Sequence, residues 1–181
     1  MLAYVFVVFA VLFRFLIPVF GSKEVTGLMG FAPLTAALLY FGARQPRARM
    51  WAPLAMLIAG DVALNVWVYH LPLGADQVVS WAFYCALMLF GGVLRENQVP
   101  LRVGGVALSS SVAFFLVSNF AVWAVWAMYP KTLAGLSACY IAGLPFFRNA
   151  LIGDLAWTAV FFGAPALAAQ FGLQAERVRA K

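Results

Sequence analysis

Long apolar runs, broken by short charged or turn-forming stretches, recur from one end of this chain to the other. The runs are continuous rather than alternating, which fits helices and not the two-residue period of membrane strands. A soluble core helix rarely needs more than about 10 to 14 unbroken apolar residues, whereas about 20 are needed to cross the hydrocarbon of a bilayer. That rule gives six spans: Leu2 to Phe20, Leu28 to Ala43, Met50 to His70, Val78 to Leu94, Val103 to Trp126 and Phe146 to Phe171. Gly21-Ser22-Lys23-Glu24, Arg44-Gln45-Pro46-Arg47, Leu71-Pro72-Leu73-Gly74, Arg95-Glu96-Asn97 and Tyr129-Pro130-Lys131-Thr132 separate them. The pattern predicts an all-α integral membrane protein, a bundle of six transmembrane helices forming one domain over residues 1–181, with a short basic tail at 172–181. The second span is short and carries Gly30 and Pro33, so a break is expected there, with the freed backbone groups partnered inside the protein.

Composition agrees: 65% of the residues are hydrophobic, 10% are charged, and the mean hydropathy is +0.95. The net charge of +6 changes the picture only through its placement. Arg44, Arg47, Arg49, Arg95, Arg102, Arg177, Arg179 and Lys181 fall on one side of a six-span topology; the opposite loops carry Lys23 and Lys131, with Arg148 just inside a span. The positive-inside rule then puts both termini in the cytoplasm. No run reaches the four to eight clustered basic residues of a lipid-reading motif, and the charge marks orientation rather than nucleic-acid binding. The first span lacks a basic n-region and contains Arg14 and Pro18, so it is expected to stay in place rather than be removed as a signal.

Three charges interrupt the apolar pattern at depth. Arg14 and Asp61 lie about eleven or twelve residues from the cytoplasmic ends of their spans, roughly 17 Å in, and Asp154 lies roughly 12 Å from the outer end of its span. An ionisable group there costs about 2.5 to 3.5 kcal/mol even on lenient scales, so such residues pair, face a cavity or handle a ligand. Arg14, Asp61 and Asp154 are therefore expected to form one charge network, with Arg14 neutralising one aspartate. The aspartates share local sequence, Leu57-Ile58-Ala59-Gly60-Asp61 and Leu151-Ile152-Gly153-Asp154. Two duplicated three-helix halves would place them in equivalent spans of an inverted repeat; glycines that simply permit close helix packing give the same pattern.

Enzymatic chemistry finds little support. Two facing aspartates could share a proton as in a protease, but the Gly-x-Gly-Asp motif of intramembrane aspartyl proteases is missing, since Ile58 and Leu151 stand three before each aspartate. Cys85, Cys139 and the single histidine, His70, fit no zinc-ligand spacing. Ser109-Ser110-Ser111 has no base nearby in sequence and reads as a helix contact. No resident cofactor is expected. The outer halves of spans three to five hold Trp67, Tyr69, His70, Trp81, Tyr84, Asn119, Trp123, Trp126 and Tyr129, either as an interfacial aromatic belt or as the wall of a pocket.

The stretch Asn119-Phe120-Ala121-Val122-Trp123, then Tyr129-Pro130-Lys131-Thr132-Leu133-Ala134-Gly135-Leu136, Cys139-Tyr140, Pro145-Phe146-Phe147-Arg148-Asn149 and Gly153-Asp154, together with Phe31-Ala32-Pro33, Ala36 and Asp61, carries a resemblance. It resembles an uncharacterised bacterial family of six-span inner-membrane proteins related to the substrate-binding S components of energy-coupling-factor (ECF) vitamin transporters. The resemblance covers nearly the whole chain. It implies an S-component fold with an outward-facing pocket, and the nearest relatives look like solitary cobalamin-uptake S components, in which a cysteine ligates cobalt. Two features depart from those relatives. The Ala-x-x-x-Ala surface that docks an ECF energising module is absent from the first span, where Ala3 and Ala10 are seven apart, and the loop Leu71 to Gln77 has no cysteine, leaving Cys85 as the nearest ligand.

These readings converge on a membrane-embedded uptake protein for a small vitamin-like solute, a corrinoid foremost, in the bacterial inner membrane. The expected ligand contacts are Asp61, His70, Trp81, Tyr84, Cys85, Asn119, Trp123, Tyr129, Lys131, Arg148, Asn149 and Asp154. Lys131 is expected at the entrance, Arg148 and Asn149 in the first turn of the sixth span where free amides favour an anionic group, and Cys85 or His70 as a metal contact only for a corrinoid. The rival reading is a non-transporting membrane assembly protein whose charges only organise helices.

Overall fold

The computed structural model describes residues 1–20, 31–70 and 72–179, and the described residues contain no β-strand. Six α-helices carry the architecture: α1 (Leu2–Phe20), α2 (Leu34–Arg44), α3 (Trp51–Ala63), α4 (Ala75–Gly91), α5 (Pro100–Val125) and α6 (Leu133–Arg179). Short 3₁₀ turns at Arg47–Arg49 and Gly92–Leu94 lead into α3 and out of α4, and a π-helical segment, Leu64–Tyr69, prolongs α3. Among the described residues, four segments are long and apolar enough to cross a bilayer: Arg47–Tyr69, Gln77–Leu94, Pro100–Val125 and Leu133–Phe171. Leu2–Phe15 is a shorter apolar helix. The all-helical membrane character read from the sequence is thus present, with four long spans where six were expected.

The second predicted span differs most in kind. Its first residues, Leu28 to Gly30, lie outside the described residues, as do the Gly21-Ser22-Lys23-Glu24 turn and Leu71. After Pro33 comes an eleven-residue helix, about 16 Å long, with every residue from Ala36 to Ala43 buried. A helix that is apolar on all sides belongs at the centre of a bundle, and α2 packs against α1, α4, α5 and α6. It serves as the bundle's short axis.

Two glycines let α2 and α4 meet backbone to backbone. A Cβ on Gly42 would stand 1.9 Å from the Met88 carbonyl oxygen, and one on Gly91 would stand 2.3 Å from that of Leu39, so no other residue is tolerated at that spacing. At the end of α2, Arg95 donates through Nε to the Gly42 carbonyl at 3.0 Å and through Nη2 to that of Gln45, satisfying carbonyls that a helix C-terminus leaves unpaired. The pair α5 and α6 is joined as closely. A Cβ on Gly143 would lie 2.5 Å from Asn119 Oδ1, Tyr140 Oη donates to the Leu116 carbonyl at 2.8 Å, and Cys139 Sγ donates to that of Asn119 at 3.4 Å. Helix α1 is held to α6 by aromatic contacts, with Phe6 stacked on Phe161 at 4.0 Å and Phe9 and Phe13 edge-on to Trp157.

The sixth span departs from its predicted bounds. The sequence predicts a loop from Tyr129 to Pro145 with the span beginning at Phe146; instead α6 starts at Leu133 and runs 47 residues through both Pro145 and Pro165. Proline removes one hydrogen bond and crowds the carbonyl four residues earlier, at Ile141 and Phe161 here, but surrounding helices can hold a membrane helix together across that gap. Arg148 and Asn149 therefore sit in the middle of a helix, and no free first-turn amides accompany them.

Candidate functional site: a charged chamber at the head of the central helix

The first of the buried charges is consumed in the framework. Asp61, 1% exposed, forms an ion pair with Arg14 through Oδ1, while Trp81 Nε1 donates to Oδ2 at 2.9 Å. The Tyr84 hydroxyl stands against both Arg14 and Asp61. One carboxylate thereby links α1, α3 and α4. Gly60, its neighbour, makes this possible, because a Cβ there would press Val11 Cγ1 of α1 at 3.3 Å. The carbonyl of Asp61 also accepts from Asn65 Nδ2 at 2.9 Å, just where the helix widens into its π-helical segment.

Asp154 lives in a different setting. It is 6% exposed, and the described residues place no cation within ion-pair distance of it. Ser111 Oγ of α5 donates to Oδ2 at 2.6 Å, and the Thr35 hydroxyl adds a second hydrogen bond. Thr35 occupies the first turn of α2, whose N-cap is Pro33 and carries no side-chain cap. The positive end of that helix dipole favours the carboxylate. Gly153 plays the same spatial part as Gly60, since a Cβ there would meet Phe31 Cα at 2.9 Å. Phe31 precedes α2, so in both places the glycine before the aspartate permits the close approach of a neighbouring segment.

Between these two centres lies a cavity of about 200 Å³. Arg14, Thr35, Tyr84 and Asp154 supply its polar lining, and Phe83 and Phe114 close part of its apolar wall. Arg14 pairs with Asp61 and also borders the chamber, and Asp154 lines the same chamber with hydroxyl partners. The arrangement offers a carboxyl group, hydroxyls and an aromatic wall inside a space that holds only a small molecule.

Of the residues expected to touch a ligand, Tyr84 and Asp154 line this chamber, and Asp61 and Trp81 support it from behind. The others are placed elsewhere. Asn119 Nδ2 donates to the Phe115 carbonyl within α5 at 2.8 Å, and the Asn119 carbonyl accepts from Cys139 Sγ of α6. Trp123 Nε1 donates to the Pro130 carbonyl at 2.9 Å, fastening the turn that contains Tyr129. Lys131, expected to guard an entrance, donates to the Trp123 and Trp126 carbonyls and lies over the Trp123 ring; it caps the C-terminus of α5 because that helix ends with unpaired carbonyls. His70 ends the π-helical segment in a left-handed conformation, φ 52°, is exposed, and does not border the chamber. Cys85 and Arg148 are also outside its lining, as is Asn149. Among the described residues no three histidine, cysteine or acidic side chains gather in a metal-binding group.

Thr35 and Ser111 are the contacts that the sequence pattern does not single out. Ser111 stands eleven residues into α5, about 17 Å deep by helical rise, in the same layer as Asp61. Depth is a signal for hydroxyls as well as for charges, and weighed that way it points to Ser111. A match to a sequence family over residues 1–176 places the chain in a wider group. It belongs to the Family of unknown function (DUF6580). No curated protein and no solved structure matches it. For this DUF6580 member, the chamber with Asp154 in its wall and the Arg14–Asp61 pair beside it are the features from which a function can be argued.

Proposed function

We propose that this protein binds a small vitamin-like solute inside the bacterial inner membrane and takes it up, working as a multi-pass protein with both termini in the cytoplasm. The observation that carries the reading is Asp154, a carboxylate at membrane depth that faces a chamber and has hydroxyl partners but no cation among the described residues. Framework charges are normally neutralised in pairs, whereas an unneutralised one beside a cavity marks a substrate or proton pathway. The chemistry of the lining favours a solute with a hydrogen-bond-donating or cationic head, set against Asp154, and a flat or apolar body against Tyr84 and Phe114. At about 200 Å³ the chamber falls below the roughly 300–1,000 Å³ of typical small-molecule sites, so a corrinoid would require the helices to part. The resemblance to ECF S components supports the uptake class, and an energising partner belongs to the proposal even though the first-span docking motif is absent.

A second reading, a non-transporting assembly protein, draws on Asp61, which Arg14 of α1 neutralises and Trp81 of α4 hydrogen-bonds. The two separate in one experiment. Purified protein is screened by thermal unfolding against water-soluble vitamins, cobalamin among them, and hits are tested for uptake into proteoliposomes. The uptake reading expects a stabilising hit that Asp154→Asn abolishes; the assembly reading expects no hit and no change in uptake.

A further inference from the structure

The helices around the chamber are not equally bound to one another. Helices α2 and α4 are locked by backbone contact at Gly42 and Gly91, and α5 and α6 by the contacts of Asn119, Gly143 and Tyr140. Between α4 and α5 there is a crevice instead. Its larger part, about 620 Å³, is bordered by Phe83, Leu87, Phe90, Ser109 and Ala113; a second part, about 120 Å³, continues toward Val79 and Val122. Ser109 adds no free polarity, since its hydroxyl donates to the Gly105 carbonyl at 2.7 Å.

Phe83 borders both parts of the crevice and also the charged chamber. Its ring lies 5.0 Å from that of Phe114, tilted by 53°, and these two rings with Leu87 form the partition between the two spaces. Helices α4 and α5 both have membrane-crossing length, and Leu89, Phe90 and Phe114 on this face are exposed. The crevice therefore opens onto hydrocarbon rather than water.

We propose that the α4–α5 crevice is a lateral portal: it holds the acyl chain of a bilayer lipid and, when Phe83 and Phe114 part, admits a molecule dissolved in the bilayer to the chamber at Asp154. An acyl chain is the occupant because an apolar space bordered by lipid forfeits dispersion contacts unless a chain fills it. The crevice reaches Val93, in the turn after α4, and exposed Arg102 stands in the first turn of α5, a helix end that suits an anionic headgroup. The portal opens where the side chains of Phe83 and Phe114 part across the α4–α5 seam, so neither the Gly42 nor the Gly143 contact must yield. It goes beyond the uptake reading and can be tested without any solute.

The test places one thiol in the chamber by Ala150→Cys, in full-length protein carrying Cys85→Ser and Cys139→Ala, in native membranes. Labelling rates are compared for N-phenylmaleimide, which partitions into lipid, and a charged methanethiosulfonate, which does not. The portal requires that the lipid-soluble reagent be the faster one. Phe83→Ala should speed it about tenfold, and Ala113→Trp, which fills the crevice without touching the chamber, should slow it by a similar factor, with the charged reagent unchanged. A photoreactive diazirine phospholipid should crosslink to the parent protein, and less to Ala113→Trp. The portal is overturned if the charged reagent labels as fast as the lipid-soluble one, if both variants leave the lipid-soluble rate unaltered, or if no lipid crosslinks to α4 or α5.

Discussion

Asp61 and Asp154 begin from the same local sequence, a glycine followed by an aspartate in an apolar helix, and end in opposite conditions. Asp61 is clamped by a guanidinium and an indole from two neighbouring helices. Asp154 is held by hydroxyls at the head of α2 and faces a chamber. The glycine does the same work in both places, bringing a second segment within a few ångströms. What differs is the segment: α1 arrives with Arg14, whereas the turn before α2 arrives with Phe31 and a helix dipole. The lesson is that a motif at depth does not declare its own role; the polarity of whatever packs on its glycine does.

The comparison breaks most severely at the ion pair. Asp61→Ala leaves the half-buried Arg14 at membrane depth without a counterion, and loss of one partner of a buried pair typically costs about 3–5 kcal/mol; the variant should lose its monodisperse peak in size-exclusion chromatography. Arg14→Ala combined with Asp61→Ala should recover a large part of that loss, because no orphan charge remains. If the double variant is no better than the single one, the pair is not what the bundle relies on. Next in size, Trp81→Phe removes a hydrogen bond to a charged acceptor, worth about 1.5–3 kcal/mol, read as a lowered unfolding temperature. Ser111→Ala should cost about 1 kcal/mol by the same measurement, since Asp154 keeps its Thr35 contact. Smallest in stability is Asp154→Asn, expected below about 1 kcal/mol because the amide preserves shape and can still accept from Ser111. That variant should nevertheless lose any solute-induced stabilisation, so a large unfolding penalty there would make Asp154 a second framework charge and erase the contrast.

Span-level features are legible in the sequence because they depend on sums over many residues. Twenty apolar residues in a row mean much the same wherever they occur, and the depth of Arg14, Asp61 and Asp154 comes from counting along helices of known rise. Pairings are harder to read, because they depend on which face meets which. Lys131 has the sequence context of a free cation near an entrance, but a helix C-terminus a few residues upstream claims it. Pro145 has that of a boundary, yet the helix continues because its neighbours hold it. Arg148 and Asn149 lose their expected role for the same reason. Ser111 is marked in the sequence by its depth alone and Thr35 by nothing, because hydroxyls are cheap at depth; their importance comes from the carboxylate that α6 brings to them.

The π-helical segment beyond Asp61 sets a direction as well as a length. A π turn accommodates about one residue more than an α turn, so across Leu64–Tyr69 the chain falls progressively behind an unbroken α-helix, by about 100° at its end. Trp67 and Tyr69, both exposed, owe the direction they face to this single extra residue. It acts as a phase shift written into the chain: remove one residue between Leu64 and Tyr69, and the polar core at Asp61 keeps its register while the aromatic end of the span swings to another side of the molecule.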